Sequence, residues 1–348
     1  MVFIMAYQAA VVGGSGYTGT ELLRLLSTHP DIDVVHVTAD SNAGASVGAL
    51  YPSLAASYPG MEYASMDPAA MAGLDVVFLA MPHGASQAFA PSILGQVGHV
   101  VDLGADFRLP ADVYVQWYGA THTAPELIDQ FAYGMVELYR ADITAATHAA
   151  VPGCYPTAAS LALAPLFAAG VVEPDVVVDA MSGLSGAGRG LKVSSHFSEA
   201  DESVSAYSLL THRHTAEIEQ ALTRVAGAPV GALFTPHLVP MVRGMQATCH
   251  AVPSATGLST ASLLAMYRDY YAAEPFVVVV DEPPPTKAAT GANTCLVTVR
   301  FDERTGRILA LGVLDNLVKG ASGGAVQNAN VLLGLAETTA LPTVGMWP

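Results

Sequence analysis

The stretch YQAAVVGGSGYTGTELLRLLSTHP, residues 7–30, decides how the chain folds. Residues 7–13 form a short apolar run ending in glycine. Leu22, Leu23, Leu25 and Leu26 then recur at helical spacing before Pro30. The order is strand, glycine turn, helix. Gly14, Gly16 and Gly19 match the pattern G-x-G-x-x-G, and Gly13 offers an overlapping register with Gly16 and Gly19. Glycine suits such a turn because the backbone must bend tightly and approach a pyrophosphate, whose charge then faces helix N-terminal amides. The expectation is a dinucleotide site.

Working outward, DIDVVHVTAD reads as a second strand, and residues 74–84 and 98–106 as two more. Short β-branched runs alternating with helical patterns imply a parallel, doubly wound sheet of Rossmann type. Asp40 stands at the end of the second strand, where an acidic residue binds an adenosine ribose; a solvated turn residue fits the same position. Taken literally, Asp40 favours NAD, because a carboxylate repels the extra phosphate of NADP. Beyond residue 154 the pattern changes. VVEPDVVVDAMSG, GALFTPHLVP, GMQATCHAVP and TCLVTVRF follow one another as strands with fewer helices between them, which predicts a mixed or antiparallel second sheet. Helices are expected at 215–227, at 259–275 with Pro275 as the stop, and, as an amphipathic element, at 323–337.

Composition narrows the function classes. The 348 residues, 52% hydrophobic and 13% charged, suffice for two cores. A formal charge of -16 opposes binding to a phosphate backbone, so nucleic acid is not an expected partner. No run approaches the ~20 apolar residues of a membrane span, so no membrane partner is expected. Cys154, Cys249 and Cys295 are odd in number and contain no CxxC pair, which argues against a disulfide framework and a structural zinc site and for a reducing, cytoplasmic setting. No metal is expected.

The sequence AVPGCYPTAASLALAPLF, residues 150–167, places Cys154 just ahead of a helix-forming run. Pro156 suits the first turn, so the thiol stands near a helix N-terminus, the placement a nucleophilic cysteine needs. Cys249 and Cys295 lie in alternating strand patterns and read as core. A thiol nucleophile needs a base, and THRHT supplies His212 and His214. Two residues apart in a nonhelical lead-in, they are expected to point in opposite directions, one towards the site. The loop SGLSGAGRGLK, residues 182–192, holds Ser182, Gly183, Ser185, Gly186, Arg189 and Lys192, and reads either as an anion-binding run of amides or as a plain glycine turn. Arg108 in DLGADFRL follows a strand's carboxyl end, as a carboxylate or phosphate anchor or as a surface arginine.

Taken together, GGSGYTGTELLRLL, DVVFLAMPHG, DLGADFRL, YGATHTAPEL, AVPGCYPTAA, SGLSGAGR, THRHTAEI, FTPHLVPMVRG and DNLVKGASGGAVQNAN resemble the N-acetyl-γ-glutamyl-phosphate reductases, the arginine-pathway branch of the semialdehyde dehydrogenase superfamily. The resemblance implies three segments: a dinucleotide-binding domain at 1–152, a mixed α/β catalytic and subunit-contact domain at 153–315, and a C-terminal segment, 316–348, returning to the first domain. It implies an acyl phosphate substrate, NADPH as cofactor with NADH open because of Asp40, and a homodimer or homotetramer. Cys154 would attack the acyl phosphate and hold a thioester, with His212 as first choice for the acid/base group and His214 as substitute. Cofactor contacts would come from Gly14, Ser15, Gly16, Tyr17, Thr18 and Gly19, from Asp40 and Ser41, from Pro82, and from Ser182, Gly183, Ser185, Gly186 and Asn316. Arg108, Arg189 and Arg213 would hold the substrate. The resemblance leaves a sibling reductase of aspartyl or aminoadipyl phosphate, or a noncatalytic nucleotide sensor, as alternatives. One departure stands out: YGMVEL replaces the family's more familiar YGLPE.

Overall fold

The computed structural model describes residues 6–347. In chain order its main elements are β1 (Tyr7–Val12), α1 (Tyr17–Leu26), β2 (Ile32–Thr38), β3 (Val76–Leu79), β4 (His99–Asp102), α2 (Ala111–Tyr118), β5 (Phe131–Tyr133), α3 (Val136–Ala145), β6 (His148–Ala150) and α4 (Cys154–Ala168). They continue with β7 (Val172–Gly183), β8 (Ser205–Ala206), α5 (His214–Ala226), β9 (Gly231–Val239), β10 (Met245–Pro253), α6 (Thr260–Tyr270), β11 (Val277–Val279), β12 (Cys295–Asp302), β13 (Arg307–Leu314) and α7 (Gly323–Leu332). A π-helical turn, Val318–Ser322, leads into α7. Two compact units result: one runs from β1 to Pro152 and adds Ala321–Leu341, the other comprises Gly153–Gly320 and the residues from Pro342.

The first unit carries a six-stranded sheet in the order β2-β1-β3-β4-β6-β5, every pair parallel. All four residues of β3 are buried, the pattern of a strand covered on both faces. Its core gathers Val12, Leu79, Val100, Phe107 and Phe131. After β1 the chain turns at Gly13, with φ +82, and the amides of Gly13 and Gly14 donate to the Thr38 carbonyl at the end of β2. Only glycine allows α1 to approach so closely, since a Cβ at Gly19 would lie 2.3 Å from the Gly13 carbonyl oxygen.

Helix α7 departs from the expected amphipathic element. It is buried from Gly323 to Asn330 and ends at Leu332, with Gly334 at φ +69. Its polar side chains are bonded inside the first unit: Gln327 donates to Glu137 at 2.9 Å, and Asn328 donates to the Gly134 carbonyl at 2.7 Å. Satisfied amides are tolerated in a core, which an apolar-stripe reading does not anticipate.

The second unit carries a mixed seven-stranded sheet, ordered β11-β12-β13-β10-β7-β9-β8, as expected. Pairs β11–β12 and β7–β9 are parallel and the others antiparallel. Strand β13 escaped the sequence reading because Gly312 interrupts its alternation. A Cβ there would meet the Ala158 carbonyl oxygen at 2.3 Å, so the glycine marks where helix and strand backbones touch. Helix α6 stops at Tyr270, short of Pro275. Tyr271 is the C-cap, and the amides of Ala272 and Glu274 already make turn bonds, so the proline lies beyond the end.

Candidate active site

The thiol sits where the sequence places it. Gly153 is the N-cap of α4 in an extended conformation, and Cys154 is the first helical residue. Pro156 falls within the first turn, where its missing N–H costs nothing. Residues 155–167 are all buried, so the helix is enclosed on every side, while Cys154 keeps partial exposure at its N-terminal end. The amides of that end present partial positive charge to the sulfur. Cys249 and Cys295 are fully buried in β10 and β12, and burial pushes the Cys249 thiol up.

Both histidines come to this end of α4. They do not point apart. Arg213 has α-helical backbone angles and His214 opens α5, so the lead-in is already turning and the two ring centroids lie 4.8 Å apart, edge to face. His212 Nδ1 accepts the His214 amide N–H at 3.2 Å, and its ring is set among Tyr155, Tyr207 and Phe234. Burial, with a smaller contribution from Arg213, lowers His212 to about 4, so it is neutral at pH 7. His214 packs directly on the N-cap of α4: a Cβ at Gly153 would lie 2.4 Å from its Nε2.

Three residues that sequence reasoning missed complete the cluster. Glu217, on the same face of α5 one turn after His214, is 0% exposed. Its Oε2 accepts the Gly153 N–H at 3.0 Å, and its Oε1 lies 3.8 Å from His214 Nε2. The i, i+3 spacing from His214 was the signal that could have found it. Tyr155 donates to the His237 carbonyl at 3.1 Å, and Tyr207 donates to the Tyr155 oxygen at 3.2 Å. Burial raises both phenols, Tyr207 to about 12, with Tyr207 and then Cys154 adding to the rise at Tyr155. Tyr207 lies in a segment where Glu202, Ser208 and Leu210 have positive φ.

The loop after β7 forms a cradle with the residue after Asp315. Asn316 donates to Ser185 Oγ at 2.9 Å and accepts the Gly244 N–H at 2.8 Å. A Cβ at Gly186 would lie 2.8 Å from Ser182 Oγ, and one at Gly183 2.8 Å from the Val242 carbonyl oxygen. Ser182, Gly183, Ser185, Gly186 and Asn316 therefore come together. Arg189 and Arg213 are exposed.

In the first unit the remaining cofactor candidates gather at the carboxyl ends of the adjacent strands β2, β1 and β3, the switch point of the sheet. Gly16 is the N-cap of α1 and brings no side-chain cap over the first turn, where Tyr17 and Thr18 open the helix directly after Ser15. Asn42 donates to Ser15 Oγ at 3.1 Å and to Ser41 Oγ at 3.4 Å, tying the loop after β2 to the glycine turn. Asp40 is exposed in that loop, and Pro82 follows β3. At Gly13, Gly14 and Gly19 a Cβ would strike the protein itself, at 2.4 Å from the Ala80 carbonyl oxygen, 2.3 Å from Val37 Cγ1 and 2.3 Å from the Gly13 carbonyl oxygen, so these glycines shape the turn. One at Gly16 would meet only the Gly13 carbonyl oxygen at 3.6 Å, which leaves that position open to a dinucleotide. Arg108 is not a surface residue: it is buried and donates to the Leu103 carbonyl at 2.8 Å. Nearby, burial outweighs hydrogen bonds from Ser86 and Gly104 and lifts the Asp102 carboxyl to about 7. Among the described residues no group of three or more His, Cys, Asp or Glu is placed to hold a metal ion, and no helix is long and apolar enough to cross a membrane.

The departure YGMVEL also acquires a reading. Met135 is the N-cap of α3 and Val136 its first residue, the position at which helices best accept proline. Valine there forgoes the preset φ and changes little else. The neighbouring Gly134 is required, since a Cβ would meet Asn328 Oδ1 at 2.7 Å.

The semialdehyde dehydrogenase NAD-binding domain family matches residues 8–146, and the semialdehyde dehydrogenase dimerisation domain family matches residues 154–316. An N-acetyl-gamma-glutamyl-phosphate reductase of Symbiobacterium thermophilum is 49% identical, over 98% of this chain and 99% of the relative. One of Acidithiobacillus ferrooxidans is 46% identical with the same coverage. Among solved structures, aspartate semialdehyde dehydrogenase II of Vibrio cholerae superposes with a TM-score of 0.72 at 16% identity, over 95% of this chain and 99% of that one. An aspartate semialdehyde dehydrogenase with NADP from Candida albicans gives 0.72 at 16% identity over 94% and 99%. Those structures show the fold; the sequence identities go further, and the chain belongs to the N-acetyl-γ-glutamyl-phosphate reductase family of semialdehyde dehydrogenases.

Proposed function

We propose that the chain reduces N-acetyl-L-glutamyl 5-phosphate to N-acetyl-L-glutamate 5-semialdehyde, releasing inorganic phosphate, by way of a thioester on Cys154. The observation that carries this is the partly exposed Cys154 at the start of a buried helix, with His214 and Glu217 packed on the same N-cap. The thiolate attacks the acyl carbon and the C–O bond to phosphate breaks. A nicotinamide cofactor, when bound, would supply the hydride that the thioester carbonyl carbon accepts. The resulting thiohemiacetal oxyanion collapses to the aldehyde, the C–S bond breaks, and the thiolate is regenerated.

The acid/base role falls to His214 in preference to His212. His212 is neutral, and its Nδ1 already accepts a backbone amide; its part is to fix the start of α5 and the ring stack around Tyr155. His214 has Glu217 to balance positive charge when it takes up a proton. Arg108, Arg189 and Arg213 are the candidate anchors for the substrate's anionic groups.

NADPH is the proposed cofactor. Ser41 and Asn42 offer donors to a 2′-phosphate, and the exposed Asp40 can turn away from it. Ser182, Gly183, Ser185, Gly186 and Asn316 are proposed to meet the nicotinamide end. Three free cysteines suit a reducing cytoplasm, and the dimerisation-domain match supports a homodimer or a tetramer built from it. The test is the reverse reaction, following NADPH formation from N-acetylglutamate semialdehyde, phosphate and NADP+. Turnover with aspartate semialdehyde in its place would overturn the substrate; turnover with neither aldehyde would favour a noncatalytic nucleotide sensor.

A further inference from the structure

The segment DNLVKGASGGAVQNAN, residues 315–330, opens on a turn in the second unit. Asp315 is fully buried. Its Oδ1 accepts the amides of Leu317 at 2.8 Å and Val318 at 3.2 Å, and its Oδ2 accepts the Gly291 amide at 2.7 Å. Arg243 Nη1 stands 3.5 Å from the same Oδ2. One carboxylate thus fastens the 315–320 turn to two other loops of its unit. The turn closes when the Gly320 amide donates to the Asp315 carbonyl at 3.0 Å, five residues back, and it runs on into the π-helical residues Val318–Ser322.

Gly320 is held by this bond against the nucleophile. A Cβ built on it would lie 2.7 Å from Cys154 Cβ, 3.1 Å from Cys154 Cα and 3.2 Å from Leu314 Cδ1. Carbon atoms in contact settle at about 3.5–4.0 Å, so the site has no room for one more carbon. The nearer neighbour yields least, since Cys154 Cβ and Cα belong to the first turn of an enclosed helix, while Leu314 Cδ1 ends a flexible but fully buried side chain. Backbone pressed against one side of Cβ also leaves the sulfur fewer staggered positions.

We propose that Gly320, clamped by the Asp315 carboxylate, is a positioning residue for Cys154 that fixes the rotamer from which the thiolate attacks. This rests on the reading of Cys154 as the nucleophile, and the experiment separates the two. In the full-length protein, Gly320→Ala and Asp315→Asn are compared with wild type by the rate of Cys154 alkylation with iodoacetamide, by thioester formation with the acyl phosphate in mass spectrometry, and by kcat and KM. Thermal melting and NADPH binding report the fold. Gly231→Ala, where the added carbon meets only the Asp175 carboxylate at 3.8 Å, controls for a bare glycine replacement. The expected result is a folded, nucleotide-binding Gly320→Ala variant whose alkylation rate and kcat fall at least tenfold with KM nearly unchanged. Asp315→Asn, which replaces one accepting oxygen by a donor, should show a smaller loss in the same direction, threefold or more. A folded Gly320→Ala protein alkylated and acylated within twofold of wild type would overturn the inference. Should that variant not fold, Asp315→Asn decides alone, and unchanged alkylation there overturns it equally. A wild-type Cys154 that forms no thioester would overturn both readings together.

Discussion

Replacing His212 by Asn should flatten the acid side of the second unit's stability profile. In the unfolded chain this imidazole titrates near 6.5, whereas in the folded unit burial holds it at about 4. Below pH 6.5 the unfolded chain therefore binds a proton that the folded unit refuses, and stability is lost progressively as the pH falls from 6.5 towards 4. At roughly 1.4 kcal/mol per pH unit the whole loss is about 3 kcal/mol, an upper bound because the ring is only partly shielded from water. The first unit should be flatter. His148 there is likewise lowered to about 4 by burial, but Asp102 is raised to about 7, and a carboxyl raised in the folded state restores stability as the pH falls towards its unfolded value of 3.8. Asparagine does not titrate, and its Oδ1 can accept the His214 amide that His212 Nδ1 accepts at 3.2 Å. The assay is urea unfolding between pH 7.5 and 4.5, followed by fluorescence of Trp347, in the second unit, in a Trp117→Phe background. Wild type should lose about 2 to 3 kcal/mol more than the variant over that interval, a midpoint difference of roughly 1 M urea. Curves that run parallel for the two proteins would refute the reasoning.

Cys154→Ser should bind NADPH normally yet form no acyl-enzyme, because a serine hydroxyl at neutral pH is far less ionised than a thiol; an adduct on Cys249 or Cys295 in wild type would move the nucleophile elsewhere. His214→Ala should lower turnover ~100-fold or more with cofactor affinity little changed, while His212→Asn costs less, and the opposite order would return the acid/base role to His212. Asp40→Asn should improve efficiency with NADPH slightly and leave NADH use almost unchanged; a wild-type preference for NADH that collapses on substitution would contradict the proposed cofactor. Val136→Pro, at the first position of α3, should leave the melting free energy within about 1 kcal/mol of wild type or raise it, and a larger loss would mean that the valine amide has a partner the helix needs.

Local signals in the sequence carried the architecture. The strand–glycine–helix opening, the β-branched runs and the proline beside Cys154 each determine structure within a few residues, and β1, α1, β2, β7, β9, β10 and α4 stand where those signals put them. Long-range packing is what remained hidden. Gly312 looks like a break in a strand until the Ala158 carbonyl that requires it is in place, and Gly320 looks like a linker residue until Cys154 lies against it. The orientation of His212 and His214 depended on where α5 begins, a boundary that one residue of spacing decides. Glu217 reads as an ordinary helix acid, because nothing local says that its carboxylate will be buried on the amide of a residue 64 positions earlier.

The enclosure of α4 bears on how the protein becomes active during folding. The helix is covered on all faces by elements that follow it in the chain, including α5, β10, α6, β12 and β13. Its first residue can therefore acquire its environment only after the chain has been synthesised at least to Gly320, 166 residues downstream on the numbering. Completion of the thiol's surroundings is then a late event. A nascent chain or partly folded intermediate carries Cys154 as an ordinary cysteine, and the rate at which it reacts with a small alkylating agent during refolding becomes a direct clock for closure of the second unit.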